Sequence, residues 1–183
     1  MIYYDHIPRT LAGNVFIAAS ERGLCAVSVG KKTAVAFRKE LSRMFPGEKF
    51  EGDPARLARY RKELEEYLRG TRKRFTVPID LTAVHGSFRR KVLEKLYALP
   101  FGRVVTYGEL AARSGSPGAA RAVGTAMSTN PLAIVVPCHR VVASSGGIGG
   151  YSAGLALKRK LLVHEGVPPT RAGLIEAGRG FSR

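Results

Sequence analysis

The sequence lacks tryptophan and glutamine altogether, and it has only two asparagines, Asn14 and Asn130, and two cysteines, Cys25 and Cys138. Two cysteines are too few for a disulfide scaffold or a four-cysteine zinc site, which favours a reducing, cytoplasmic setting. Few amide side chains are typical of proteins that work at high temperature, and a thermophilic origin is therefore a hypothesis.

Long apolar runs are missing as well. No uninterrupted apolar stretch approaches the roughly 18 residues expected of a membrane span. Residues 1–10 do not have the basic and then apolar layout of a signal peptide. The sequence therefore predicts a protein without a membrane anchor.

Acidic residues are scarce relative to basic ones, with 14 Asp and Glu against 30 Lys and Arg and a formal net charge of +16. Residues 1–85 carry 16 basic and 10 acidic side chains, whereas residues 86–183 carry 14 and 4. This excess favours a polyanionic partner bound mainly by the second half. A basic surface that only promotes solubility is the alternative.

The first half of the chain has the pattern of an α/β domain. Apolar, β-branched runs at residues 14–19 and 24–29 flank a turn and predict a hairpin. Helices are predicted over residues 32–45 and 53–70, the second with Asp53 as its cap. Residues 75–81 are predicted to form a closing strand, and residues 82–86 to link two domains.

The second half is mainly helical in pattern. Ser87 is predicted to cap a helix that ends before Pro100, and Thr106 with Glu109 forms a capping box that opens a short helix. Another helix is predicted from Ser116, and a last one over residues 155–165. The two short helices match a helix-turn-helix, although an ordinary helical hairpin has a similar pattern.

The second of these short helices combines small residues with one long charged side chain, Arg121. A helix without bulky side chains can approach a minor groove closely and would leave Arg121 as a single long probe. Close packing between helices also uses alanine and glycine, so both interpretations stay open.

Cys138 is the main candidate for chemistry, because His139 and Arg140 follow it directly. A cysteine attacks as its thiolate, which a neighbouring histidine or positive charge favours. In an extended strand, however, Cys138 and His139 would point to opposite faces, and a free cysteine is often simply a buried apolar residue.

Glu165 is the second candidate, since a carboxylate in the last turn of a helix opposes the helix dipole. Such an acid is either solvated or has a function. If Glu165 meets His139, it would orient the imidazole as a base toward Cys138. A zinc site built from the cysteines and histidines is a weak alternative, because the usual short ligand spacing is absent.

Four motifs together resemble the O6-alkylguanine-DNA alkyltransferases. The resemblance runs from about Ser87 to Val167 and is specific in the order of its motifs. They are Asn130-Pro131, Pro137-Cys138-His139-Arg140-Val141, Gly150-Tyr151-Ser152 and Leu161-Leu162-Val163-His164-Glu165-Gly166.

The resemblance implies a ribonuclease-H-like α/β domain at residues 1–81 and a mostly α-helical domain with a helix-turn-helix at residues 87–170, followed by a basic tail at 171–183. It implies that Cys138 accepts the alkyl group and that His139 and Glu165 activate it through a water. Arg121 would fill the gap left by a flipped nucleotide, and Asn130 would brace the active-site turn. The remaining implied residues are Tyr107, Val141, Tyr151 and Ser152 in the pocket, and Tyr107, Ala120 and Gly124 against DNA.

The implied activity is direct reversal of DNA damage. One alkyl group would pass irreversibly from O6-alkylguanine, and from O4-alkylthymine, in double-stranded DNA to Cys138. No cofactor, metal or obligatory protein partner is expected. A non-enzymatic lesion sensor with the same fold and a cysteine hydrolase are the alternatives.

Overall fold

The computed structural model describes residues 1–30 and 33–175, so most of the predicted basic tail lies outside the described residues. The chain separates into two compact units. Of the described residues, the first unit contains 1–30, 33–84 and 131–135, and the second contains 85–130 and 136–175.

A four-stranded sheet forms the centre of the first unit, with the strand order β3-β2-β1-β4. The predicted hairpin is confirmed as the antiparallel pair β2 and β3. The strands β1 and β4, which pair in parallel, were not predicted. The bounds are β1 Ile2–Thr10, β2 Gly13–Ser20, β3 Gly23–Ser28 and β4 Phe50–Gly52.

The predicted closing strand at residues 75–81 is wrong. This segment makes only an isolated bridge between Ile79 and Leu24, in which Leu24 N donates to Pro78 O at 2.9 Å. Pro78 has no N–H to donate to a ladder, which prevents regular pairing along the segment.

Two helices, α1 (Ala34–Met44) and α2 (Ala58–Leu68), belong to this unit. In α1, Phe37 and Leu41 are buried in the apolar cluster formed with the sheet. The predicted N-cap of α2, Asp53, lies four residues before the N-cap in the structure, Leu57. Asp53 accepts a hydrogen bond from Arg56 N at 3.0 Å and caps a separate turn, so the helix begins only at Ala58.

The second unit contains four α-helices among its described residues. The capping box of Thr106 and Glu109 is confirmed. Gly86, with a φ of 89°, takes the cap position predicted for Ser87. Ser116 begins a turn, and the next helix starts at Ala120. The bounds are α3 Ser87–Tyr97, β5 Val105–Thr106, α4 Tyr107–Arg113, α5 Ala120–Ser128, β6 Val141–Val142 and α6 Leu155–His164.

The strands β5 and β6 position the functional residues of this unit. They pair in parallel, with Val105 opposite Val141 and Thr106 opposite Val142. Because α4 begins directly after β5, Tyr107 lies beside the segment that carries Cys138. None of the helices in residues 1–30 and 33–175 is long and apolar enough to span a membrane.

Gly23 offers a test of the contact between the hairpin and residues 75–81. Its φ is 145°, and a Cβ there would lie 2.5 Å from Pro78 O. We expect Gly23→Ala to lower the free energy of unfolding by about 1–3 kcal/mol through backbone strain, and by a further amount through the clash with Pro78 O. Urea denaturation measures this loss.

Gly47→Ala is the matched control, because its φ is also positive, at 81°, but no atom lies within 4 Å of the added methyl. The free energy of unfolding of Gly47→Ala should fall only by the cost of placing a non-glycine residue at positive φ, about 1–2 kcal/mol. Equal losses in the two variants would contradict the close contact.

Candidate active site

Cys138 begins a single turn of 3-10 helix, Cys138–Arg140, which leads into β6. The backbone therefore turns at this point, and the alternation of a strand does not apply to Cys138 and His139. The thiol is buried, at 4% exposure. Burial raises the pKa of Cys138, while the amide of Asn130 and the charge of Lys158 act in the opposite direction.

Asn130 holds the thiol and its turn together. Its Nδ2 donates to Val136 O at 2.8 Å and to Cys138 Sγ at 3.2 Å. A donor to sulfur favours the thiolate over the thiol. One amide group thus both closes the loop before Cys138 and stabilises its reactive form.

Glu165 ends α6 and is fully surrounded by donors. His139 Nε2 lies 2.9 Å from Oε1, and Arg140 donates to both carboxylate oxygens at 2.8 Å. Gly102 N donates to Oε2 at 3.2 Å. Burial alone would raise the pKa of Glu165, but the hydrogen bonds and charges of His139 and Arg140 hold it well below its usual range.

The ionised Glu165 fixes the tautomer of His139. A carboxylate only accepts hydrogen bonds, so Nε2 carries the proton and Nδ1 has the basic lone pair. Burial lowers the pKa of His139 despite its contact with Glu165. The ring is therefore a neutral imidazole near pH 7 and is able to accept a proton.

Arg140 resolves the unfavourable position of Glu165 at the negative end of the helix dipole. Its guanidinium makes a two-pronged contact with the carboxylate, and Nη1 also donates to Leu99 O at 2.5 Å. Such bidentate, charge-assisted contacts are the strong hydrogen bonds of proteins. The acid at the end of α6 is therefore buried and paired, and the solvated alternative is wrong.

Lys158 is a functional candidate that the sequence interpretation missed. Its side chain is fully buried, and Nζ donates to Val141 O at 2.6 Å and to Gly150 O at 3.0 Å. Burial lowers its pKa to about 8. Its spacing from Leu161 and Leu162 puts it on the apolar face of α6, which is the signal that was available.

Two of the predicted pocket residues lie near this lysine, because Val141 accepts its hydrogen bond and Tyr107 borders the same glycine, Gly149. Tyr107 is half-buried, and burial raises its pKa. The hydroxyl of Tyr151 is buried and has no hydrogen-bond partner among the described residues, whereas Ser152 is exposed. The carbonyl of Val141 already accepts from Lys158, so a base would share this oxygen with Nζ.

Three of the four residues predicted to face DNA, Ala120, Arg121 and Gly124, lie on α5, whereas Tyr107 begins α4. Arg121 is exposed, and Ala120 and Gly124 are half-buried. No atom lies within 4 Å of the position that a Cβ would take on Gly124. Close contact with another helix therefore does not explain this glycine.

Comparison with known proteins places both halves of the chain. Residues 87–167 match the DNA-binding domain of 6-O-methylguanine DNA methyltransferase, and residues 2–81 match its ribonuclease-like domain. The chain belongs to the 6-O-methylguanine DNA methyltransferase family. The predicted fold class, an α/β domain followed by a mostly helical one, is confirmed.

Relatives within this methyltransferase family match between about half and nearly nine-tenths of the chain. An inducible methylated-DNA–protein-cysteine methyltransferase of Bacillus subtilis is 36% identical, over 81% of this chain and 82% of its own. The human methylated-DNA–protein-cysteine methyltransferase is 56% identical over 48% of this chain and 43% of its own. A crystal structure of the Mycobacterium tuberculosis protein with DNA has a TM-score of 0.75 at 33% identity, covering 89% of this chain and 92% of its own.

The charge on Glu165 offers a test of the buried network. Because its folded pKa lies below the unfolded value, its contribution to stability is complete above about pH 5 and declines as the pH falls toward the folded pKa. We expect Glu165→Gln to lose about 3–5 kcal/mol at pH 7, since Arg140 keeps a buried charge without a counter-charge.

Chemical denaturation between pH 3 and 8 measures this effect, and the difference from the unsubstituted protein should shrink at the acidic end. Glu94→Gln, on the exposed side of α3, is the control and should change little. A Glu165→Gln variant with unchanged stability at pH 7 would contradict the proposed balance of charges.

Proposed function

We propose that this protein repairs alkylated DNA by transferring the alkyl group of O6-alkylguanine to its own Cys138. Membership of the methyltransferase family supports the reaction class. The observation that carries the assignment to Cys138 is the hydrogen bond from Asn130 to its sulfur, in the same unit as the paired His139 and Glu165.

In the proposed step the sulfur of Cys138 attacks the alkyl carbon. A C–S bond forms, the C–O6 bond breaks, and its electron pair passes to the guanine oxygen. The thiol proton is transferred to His139, through a water molecule, and a proton returns to the guanine. The products are ordinary guanine and a thioether, which has no evident route of cleavage, so each molecule acts once.

The site balances two opposing demands on the thiol. Burial excludes water but raises the pKa of Cys138, so the thiol is mostly protonated at neutral pH. Asn130 and the charged Lys158 then favour the thiolate as it forms, and the neutral His139 accepts the proton. Glu165 stabilises the imidazolium that results.

DNA recognition is assigned to α5. A base inside a duplex is out of reach of a protein thiol, so the damaged nucleotide must leave the stack, at a cost of a few kcal/mol. Arg121 would occupy the vacated space, while Ala120 and Gly124 would let the helix approach the minor groove. Tyr107, Val141, Tyr151 and Ser152 would hold the extruded base.

Several finer features belong to the same proposal. The protein would act in the cytoplasm, would need no cofactor and would also accept O4-alkylthymine. Residues 1–81 and 87–170 would form its domains, with residues 82–86 as the linker. DNA binding should weaken with salt, because phosphate contacts release counterions.

Intact-protein mass measurement tests the reaction directly. After incubation with duplex DNA that contains O6-methylguanine, the chain should gain the mass of one CH₂ unit, in proportion to the lesions added. Cys138→Ala should gain nothing. Cys25→Ala, the matched control, should react normally, because burial raises the pKa of Cys25 to about 12.

Other outcomes of this measurement would favour the alternatives. If the chain binds the lesion but stays unmodified, the protein is a non-enzymatic lesion sensor. Repeated turnover without added mass would indicate a cysteine hydrolase. Methylation of Cys25→Ala but also of Cys138→Ala would place the acceptor elsewhere and overturn the assignment.

Gly124 allows DNA binding and chemistry to be separated. We expect Gly124→Leu to fold at least as stably as the unsubstituted protein, because leucine is favoured over glycine in a helix by up to about 1 kcal/mol and no atom outside the helix lies within 4 Å of the added Cβ. Its affinity for duplex DNA should fall at least about tenfold through steric exclusion.

The rate of methyl transfer from free O6-methylguanine base should be unchanged in this variant, since that reaction requires no DNA contact. Ala98→Leu, at an exposed site after α3, is the control and should bind DNA normally. If Gly124→Leu binds duplex DNA with unaltered affinity, α5 is not part of the DNA interface.

A further inference from the structure

The chain continues after α6 into a short segment, residues 168–175, that we call the C-terminal strap. It lies beyond residue 167, where the match to the DNA-binding domain ends. Thr170 N donates to Leu174 O at 2.8 Å, and Leu174 N donates to Thr170 Oγ1 at 3.1 Å. These bonds close a tight turn that directs the chain back toward residues 143–150.

Ile175 anchors the strap in the core of the second unit. It is 5% exposed and lies in an apolar cluster with residues from β6, α6 and the segments beside them. Removing an isoleucine side chain from water is favourable, and this burial holds the short segment in place. The other members of the cluster are Val104, Val142, Leu162 and Val167, with Ile148 packed against them.

The strap binds residues 143–150, which we call the glycine loop. Ile175 N donates to Gly146 O at 2.7 Å, and Leu174 forms an antiparallel bridge with Gly147. Four of the eight loop residues are glycines. Glycine loses more conformational entropy on ordering than any other residue, so the order of this loop depends on such outside contacts.

The far end of the glycine loop reaches the proposed base pocket. A Cβ on Gly149 would lie 3.1 Å from the ring of Tyr107, so the backbone runs directly against that ring. Gly150 O accepts from Lys158, and Tyr151 and Ser152 follow at once. A displacement of the loop would therefore move Tyr107 and Tyr151 relative to each other.

We propose that the C-terminal strap fixes the glycine loop in its base-binding position, with Ile175 as a positioning residue that acts through the loop. The proposal rests on the proposed function, because it takes Tyr107 and Tyr151 as the walls of the pocket. When the loop is ordered before the substrate binds, the free energy of binding does not include the entropic cost of ordering it. The strap therefore acts on substrate affinity, because the bonds that join Asn130 to Cys138 and His139 to Glu165 lie outside the glycine loop, and Lys158 is also held by Val141 O.

The test is methyl transfer from free O6-methylguanine base to the full chain carrying Ile175→Ser. The half-saturating concentration of the base should rise about tenfold, the scale of about 1.4 kcal/mol in binding. The limiting rate and its pH profile should be unchanged, because Cys138, His139 and Glu165 keep their contacts. Hydrogen exchange of the Ala143 and Gly146 amides should accelerate.

Three further variants separate positioning from a general loss of stability. Ile175→Val should restore the half-saturating concentration, and Ala172→Ser, which alters an exposed side chain of the same strap, should match the unsubstituted protein. Ile175→Ala provides the same comparison if Ile175→Ser does not fold. All rates are divided by the fraction of the protein that is folded.

An unchanged half-saturating concentration in a variant whose loop amides exchange faster would overturn the proposal. A lower limiting rate with a shifted pH profile, or an equal effect of Ala172→Ser, would also overturn it. Failure of the proposed function is distinguished by the unsubstituted protein, which would then take no methyl group from DNA or free base. In that case hydrogen exchange alone would still decide whether the strap orders the loop.

Discussion

The buried carboxylate of Glu165 is the interaction on which the second unit depends. It joins the end of α6 to the turn that carries Cys138, since His139 and Arg140 both contact it. Gly102 adds a third segment, and its tight approach leaves no room for a side chain, because a Cβ would lie 3.0 Å from Glu165 O. A charge buried among these donors is stabilising only while all of them are in place.

Local sequence signals predicted the parts of the fold that local chemistry determines. The capping box of Thr106 and Glu109 and the hairpin of β2 and β3 are both formed within a few residues. The strand β4 is only three residues long and pairs with the distant β1, so no pattern within it indicated a strand. Asp53 shows the limit of capping signals, because an aspartate caps a turn as readily as a helix.

The candidate site was predictable where a residue type has few structural uses, as with the thiol of Cys138 and the acid at the end of α6. The pairing of Glu165 with His139 was inferred from the sequence, but its second partner, Arg140, was not. Arg140 stands next to His139 in the sequence, but only the fold shows that both reach one carboxylate. Lys158 escaped notice because a lysine in a helix is usually solvated, and its burial depends on carbonyl groups from β6 and the glycine loop.

The open space beside Gly124 has an evolutionary consequence. A glycine within a helix is less stable than an alanine by about 1 kcal/mol, and no atom outside the helix lies within 4 Å of the Cβ that an alanine would add there. With α5 against DNA as proposed, selection for thermal stability and selection for access to DNA act in opposite directions at this position. If the lineage has adapted to heat, its stabilising substitutions should have accumulated elsewhere, and a glycine retained here would record the demand for a bare helix surface.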